Sequence, residues 1–112
     1  HHKVDNLTVL IDRNGIQIDG YTKDVLDQGD LAAKYAAFGW HVQTVDGHDL
    51  RAVHEALLAA RAVKGRPQVI SCTTVLGKGV SFMENQPKWH GVAPNAEECA
   101  RALAELGADA EG

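Results

Sequence analysis

Cysteine, proline and aromatic residues are all scarce in this chain. Of 112 residues, two are cysteine and three proline, and aromatics make up 5%. Two cysteines as far apart as Cys72 and Cys99 make neither a disulfide framework nor a metal-ligand spacing. Both are expected to behave as small buried hydrophobes in a reducing, cytoplasmic setting. There is no excess of positive charge: 11 Lys and Arg stand against 15 Asp and Glu, a formal net charge of −4. A nonspecific nucleic-acid binder needs the opposite field, so nucleic acid is not an expected partner. No apolar run approaches the ~20 residues that cross a bilayer, and no signal-peptide pattern is visible, so no membrane is expected either. Internal repeats and low-complexity segments are missing as well.

What the chain does have is alternation of element types. The 45% hydrophobic content supports a core of one domain, or of part of one. Leu7–Asp12 reads as a strand, continuous enough to be covered on both faces. A polar loop follows from Arg13 to Gly29. Asp30 reads as the N-cap of a helix over Leu31–Phe38, which Gly39 stops. Trp40–Val45 is the second expected strand. The turn Asp46-Gly47-His48-Asp49 leads into a helix from Leu50 to Val63, with Leu50, Val53, Leu57 and Ala60 on its apolar face. Gly65 and Pro67 break the chain before a third strand, Gln68–Thr74. A long loop from Val75 to Pro94 carries Gly77, Gly79, Pro87 and Gly91. Asn95 and Glu98 then make a capping-box signature for a last helix, with Leu103 and Leu106 inward and Gly107 at its end. The tail 108–112 is expected to fray. This order predicts an α/β fold, a parallel sheet with flanking helices. Three strands are few for such a sheet, and the first is expected to need a further neighbour.

Three places in this frame suit chemistry. Asp12 ends the first strand, and Asn14-Gly15 follows at once. In α/β sheets ligands bind beyond the carboxyl ends of strands. Oxygen-bearing side chains beside a tight turn suit a hard cation and its phosphates, although Asn-Gly is also a common plain turn. Thr73-Thr74-Val75-Leu76-Gly77-Lys78-Gly79 follows the third strand; its glycines permit close approach of a ligand and Lys78 can neutralise phosphate. It matches neither the dinucleotide nor the P-loop fingerprint, so a solvated surface loop is the alternative. Trp89-His90-Gly91 offers an imidazole that can donate to an anion or carry a proton, or simply face solvent. His41, His48 and His54 are read as structural. Because parallel strands end on one edge, Asn14, Leu76 and His90 are expected to converge on one ligand.

The same residues carry a resemblance. Val9-Leu10-Ile11-Asp12-Arg13-Asn14-Gly15-Ile16-Gln17-Ile18-Asp19-Gly20 resembles the second half of the thiamine-diphosphate motif of transketolases. So do Phe38-Gly39-Trp40-His41-Val42 with Val45-Asp46-Gly47-His48-Asp49. So does Thr73-Thr74-Val75-Leu76-Gly77-Lys78-Gly79-Val80-Ser81-Phe82-Met83-Glu84-Asn85, ending in Trp89-His90-Gly91. The resemblance covers nearly the whole chain and is closest to the separate N-terminal subunit of two-gene bacterial transketolases. It includes His2-Lys3-Val4-Asp5-Asn6, which favours native residues over a purification tag at the start.

By this resemblance, residues 1–107 are the C-terminal part of a thiamine-diphosphate-binding domain of the PP type. Thiamine diphosphate and Mg²⁺ (or Ca²⁺) are the implied cofactors. Asn14 is implied as a side-chain ligand of the metal and Ile16 as a backbone-carbonyl ligand, with Asp12 and Gly15 beside the cofactor. Leu76 is implied to pack on the cofactor. His90 is implied to touch the diphosphate near the substrate channel, in a catalytic role. The implied reaction moves a two-carbon ketol unit from a ketose phosphate to an aldose phosphate, as in the pentose phosphate pathway.

The resemblance also departs from the family. The Gly-Asp-Gly that opens the family motif, with its second metal ligand, has no counterpart in the residues before Asn14. The upstream half of the domain is therefore an implied partner. So is a C-terminal transketolase subunit, whose pyrimidine-binding domain brings the activating Glu. The result is a homo- or hetero-oligomer, with no activity in this chain alone. Two alternatives remain: another thiamine-diphosphate ligase or lyase acting on modified sugars, and a non-catalytic assembly module.

Overall fold

A computed structural model describes residues 1–107; the tail expected to fray, 108–112, lies outside the described residues. The chain folds as two compact units. One comprises His1–Arg13 with Asp27–Thr74, the other Asn14–Leu26 with the chain from Val75 onward.

The first unit holds a parallel sheet. Strands β1 (Thr8–Arg13), β4 (His41–Asp46) and β5 (Gln68–Thr73) take the order β1-β5-β4. Registers run from Thr8↔Gln68 to Arg13↔Thr73 and from His41↔Gln68 to Asp46↔Thr73. Strand β5 is central, and its side chains are buried from Gln68 to Cys72. The β-branched Val69 and Ile70 there are 1% and 0% exposed. Helix α2 (Leu31–Ala37) precedes β4, and α3 (Leu50–Ala62) joins β4 to β5. Ala56 and Ala60 of α3 pack on Ile70 and Cys72, with Val45 and Leu57 alongside. Small side chains on that face let the helix backbone approach the sheet closely.

Buried polar groups in this unit are satisfied, as a low-dielectric interior requires. The amide nitrogen of Gln68 donates to the carbonyls of Asp5 (3.2 Å) and Arg66 (2.5 Å). Its amide oxygen accepts from the Thr8 hydroxyl at 3.2 Å. The helix starts follow their caps. Asp30 accepts from the Ala33 amide, and Asp49 from those of Arg51 and Ala52. The burial of Cys72, and secondarily the charge of Asp12, push its thiol pKa up.

The second unit begins where a featureless loop was expected. It contains a hairpin, β2 (Ile16–Gln17) with β3 (Gly20–Tyr21), and a one-turn helix α1 (Thr22–Val25). Local bonds build them: Thr22 donates to Gly15 and Leu26 to Thr22, each at 2.9 Å. A 3₁₀ helix over Pro87–His90 and helix α4 (Ala96–Glu105) complete the unit. The Asn95–Glu98 capping box forms in full.

Other expectations need correction. Strand β1 is not covered on both faces. Among the described residues it pairs with β5 alone, and Leu7 and Leu10 are 44% and 51% exposed. Leu50 is 83% exposed, because the first residue of α3 sits at the capped end and only later turns reach the buried cluster. Cys99 is exposed, on the outer side of α4. Leu106 is also exposed, and Ala102 is the buried residue of that helix.

Candidate functional site

The carboxyl edge of the sheet presents Asp12, whose carboxylate accepts a hydrogen bond from the Thr74 hydroxyl. The two side chains tie the ends of β1 and β5, helped by the Thr74 amide donating to the Arg13 carbonyl at 3.3 Å. Asp12 thus belongs to the first unit, whereas Asn14, Gly15, Ile16, Leu76 and His90 all belong to the second.

Asn14 is half-buried, and its side-chain oxygen accepts from the Ile16 amide at 2.9 Å. This is an Asx turn: the short polar side chain folds back onto the backbone two residues on. It fixes the direction of the amide and leaves a second lone pair on that oxygen. The Gly15 carbonyl accepts from the amide (2.9 Å) and hydroxyl (3.2 Å) of Thr22. The Thr22-to-Gly15 bond makes Ile16 and Tyr21 a non-hydrogen-bonded pair of the antiparallel ladder. The ladder therefore does not consume the Ile16 carbonyl. An amide oxygen and a peptide carbonyl two residues apart are the neutral oxygen donors that a hard cation accepts alongside phosphate. Among the described residues no three His, Cys, Asp or Glu side chains cluster to hold a metal by themselves.

Leu76 lies in a segment that closes on itself. The Asn85 amide donates to the Leu76 carbonyl at 3.0 Å. Inside this ring Val80 donates to Gly77, and Met83 and Glu84 donate to Val80. Gly77 and Gly79, expected to admit a ligand, have internal reasons for being glycine. A Cβ on Gly77 would stand 2.7–2.8 Å from Met83, and one on Gly79 would stand 2.9 Å from Leu106. Lys78 lies 3.9 Å from Glu84, and the Gly79 amide donates to the same carboxylate oxygen.

His90 is exposed at the end of the 3₁₀ helix, which packs against β2 and so against the strand that carries Ile16. Its neighbour Trp89 is anchored. The indole N–H donates to the Phe82 carbonyl at 3.1 Å, and the two rings meet edge-on at 5.7 Å. Arg101 of α4 covers Phe82, and Lys88 pairs with Glu98 at 3.7 Å. Ser81 donates both its amide and its hydroxyl to Glu105. These bonds, the amide first, hold the Glu105 carboxyl below its ordinary pKa. The sequence reading did not single out Tyr21, Glu105 or Arg101. Of the further contributors only Asn85 carries a local signal, as a residue type that tolerates the left-handed backbone it adopts here (φ +56°).

A separate polar pocket of about 280 Å³ lies at the amino ends of β1 and β5, lined by Asp5, Asn6, Thr8, Arg61, Lys64 and Gln68. It is at the opposite end of those strands from Asp12.

The family model of the transketolase thiamine diphosphate binding domain matches residues 1–112. The chain belongs to this family. This transketolase-family chain is 39% identical over 105 residues to one of the subunits of an apulose-4-phosphate transketolase from Actinobacillus succinogenes, covering 94% of the chain and 38% of that protein. It is 38% identical over 104 residues to a 6-deoxy-6-sulfo-D-fructose transketolase subunit from a Clostridium species, covering 93% and 38%. Among solved structures, transketolase from Leishmania mexicana superposes with a TM-score of 0.89 at 34% identity, over 100% of this chain and 17% of that one. The chain thus spans well under half the length of the relatives it matches. The resemblance in family and the α/β fold with its parallel sheet are both borne out.

Proposed function

We propose that this thiamine-diphosphate-binding domain serves a transketolase-type glycolaldehyde transferase and supplies the part that holds the cofactor's diphosphate. One observation carries the reading. In the Asn14–Ile16 turn a directed amide oxygen and a carbonyl outside the hairpin ladder stand two residues apart. That donor set fits Mg²⁺ (or Ca²⁺) shared with a diphosphate, because such ions take few protein oxygens and complete their shell with phosphate and water. Asn14 and Ile16 would hold the ion, with Gly15 fixing the turn between them and Asp12 at the strand end before it. Leu76 would pack on the cofactor. Exposed His90 would donate to a diphosphate oxygen and handle a proton near the substrate.

Bound thiamine diphosphate supplies the electron sink for cleaving and forming the carbon–carbon bond of a ketose. The chain's own residues orient it and fix its charge. The reading needs further parts. These are an upstream half of the domain with the Gly-Asp-Gly metal ligand, and a second subunit with the pyrimidine-binding domain and its activating Glu. Similarity to proteins that are themselves named as single subunits of transketolases supports that division of labour. The assembly would work in the cytoplasm as an oligomer on sugar phosphates, in pentose phosphate chemistry, and the chain by itself would be inactive. Similarity to an apulose-4-phosphate transketolase subunit and to a 6-deoxy-6-sulfo-D-fructose transketolase subunit favours a second reading, in which the donor is an apulose phosphate or a sulfo-sugar.

The test is to assemble the chain with its upstream half and its partner subunit, then follow ketol transfer with thiamine diphosphate and Mg²⁺ present or withheld. Transfer that requires both supports the proposal, and the donor that reacts chooses between the two readings. An assembly that binds no thiamine diphosphate refutes both and leaves a non-catalytic module.

A further inference from the structure

Tyr21 stands opposite Ile16 in the hairpin, yet it is 40% exposed and has water within reach. Its hydroxyl nevertheless donates to the Asn85 main-chain carbonyl, 64 residues away, at 3.0 Å. The Asn85 amide in turn donates to the Leu76 carbonyl at 3.0 Å. Asn85 makes both bonds with a left-handed backbone, φ +56°, which a residue other than glycine adopts at some cost. Neighbouring bonds hold that conformer: the Gln86 amide donates to Met83, and the Trp89 amide to Gln86. A strained residue bonded on both its amide and its carbonyl is a junction between two segments. One is the Asn14–Tyr21 hairpin, and the other is the ring closed by Leu76 and Asn85.

We infer that Tyr21 is a positioning residue: through Asn85, its hydroxyl sets the spacing between the Asn14–Ile16 turn and Leu76. The inference rests on the function proposed above, in which the turn holds the diphosphate end of the cofactor and Leu76 packs on it. The two anchors must keep a fixed separation to grip one ligand. A non-hydrogen-bonded pair brings its side chains close, so the position of Tyr21 is coupled directly to that of Ile16. Neither residue of the junction needs to touch the cofactor.

Tyr21→Phe in the assembled holoenzyme removes one oxygen and keeps the ring. Calorimetric affinity for thiamine diphosphate at saturating Mg²⁺ is expected to fall about two- to tenfold, the scale of one lost hydrogen bond. The KM for thiamine diphosphate should rise more than kcat falls. Hydrogen exchange at the Asn85 amide should quicken, which reports the junction without reference to turnover. Asn85→Gly keeps the acceptor carbonyl but frees the backbone. Glycine adopts the left-handed backbone without its cost and retains both main-chain bonds, so affinity should stay near wild type, and the loss caused by Tyr21→Phe should persist in the double variant. Wild-type binding with unchanged affinity in Tyr21→Phe overturns the inference alone, whether or not Asn85 exchange changes. A wild-type assembly that binds no thiamine diphosphate refutes the functional reading, and this inference falls with it.

Discussion

Replacing Gly77 by alanine tests whether the Leu76–Asn85 ring is packed as tightly as the structure has it. Two costs coincide there. The backbone is left-handed at φ +70°, which costs an L-residue about 1–2 kcal/mol. The added methyl would also lie 2.7 Å from the Met83 Cβ and 2.8 Å from the Met83 carbonyl carbon and oxygen. Backbone cannot rotate away as a side-chain tip can, so overpacking adds about 1–3 kcal/mol. Gly77→Ala is therefore expected to destabilise by about 2–5 kcal/mol, a large share of the about 5–15 kcal/mol that holds a typical domain. Two other glycines separate the terms. Gly65 is left-handed at φ +76° with nothing within 4 Å, so Gly65→Ala should show only the conformational cost of about 1–2 kcal/mol. Gly91 has φ −137° and open space, so Gly91→Ala should lie within about 0.5 kcal/mol of the parent or slightly above it. Urea denaturation of the complete domain ranks the three variants. Equal losses for Gly77→Ala and Gly65→Ala would refute the claim that contact with Met83 demands glycine in the ring.

Four further outcomes are expected, the first two resting on the proposed function and the last two on the geometry. Asn14→Ala should weaken Mg²⁺-dependent binding of thiamine diphosphate by at least the about 10–100-fold that loss of an outer-shell partner costs, and unchanged calorimetric affinity would remove Asn14 from the metal site. His90→Ala should lower turnover of the assembled enzyme by about 10–100-fold, the worth of a hydrogen bond to a charged group, while circular dichroism stays the same; full activity would place the imidazole outside the chemistry. The depressed pKa of Glu105, caused first by the Ser81 amide, means that the folded state favours the carboxylate. Its contribution is complete above the unfolded carboxylate range and is lost as pH falls through the lowered folded value. Protection of the Ser81 amide, its exchange relative to the intrinsic rate at each pH, should thus fall in acid, and Glu105→Gln should leave that protection independent of pH. A maleimide at neutral pH should label exposed Cys99 well before Cys72, whose burial and raised pKa both suppress the thiolate; equal rates would contradict the burial of β5.

Much of the fold was legible because its signals are local. Asp30, Asp49 and Asn95 with Glu98 mark helix starts by side-chain bonds that span only two or three residues. Strand positions were legible from runs such as Gln68–Thr73, where β-branched residues crowd together. Which strand lies in the middle was not, since the runs of β1 and β5 look alike in composition and only pairing makes β5 central. The hairpin of β2 and β3 was not legible, because two-residue strands carry no periodicity. The candidate site divides in the same way. Asn14, Gly15 and Ile16 make their turn with near neighbours, and the motif they belong to is contiguous. Tyr21 has no local signal, because its partner is 64 residues away.

The amino-acid sequence by itself determined the three strands of the parallel sheet and the three longer helices, the helix caps, the turn at Asn14 and membership in the transketolase family. All of these rest on spacing within a few residues or on contiguous motifs. Tertiary structure alone decided that β5 takes the centre of the sheet, that Leu7, Leu10, Leu50 and Leu106 stay exposed, and that Asn85 joins Tyr21 to Leu76. Burial and long-range hydrogen bonds depend on which surfaces meet after the chain closes on itself, and no window of neighbouring residues contains that information.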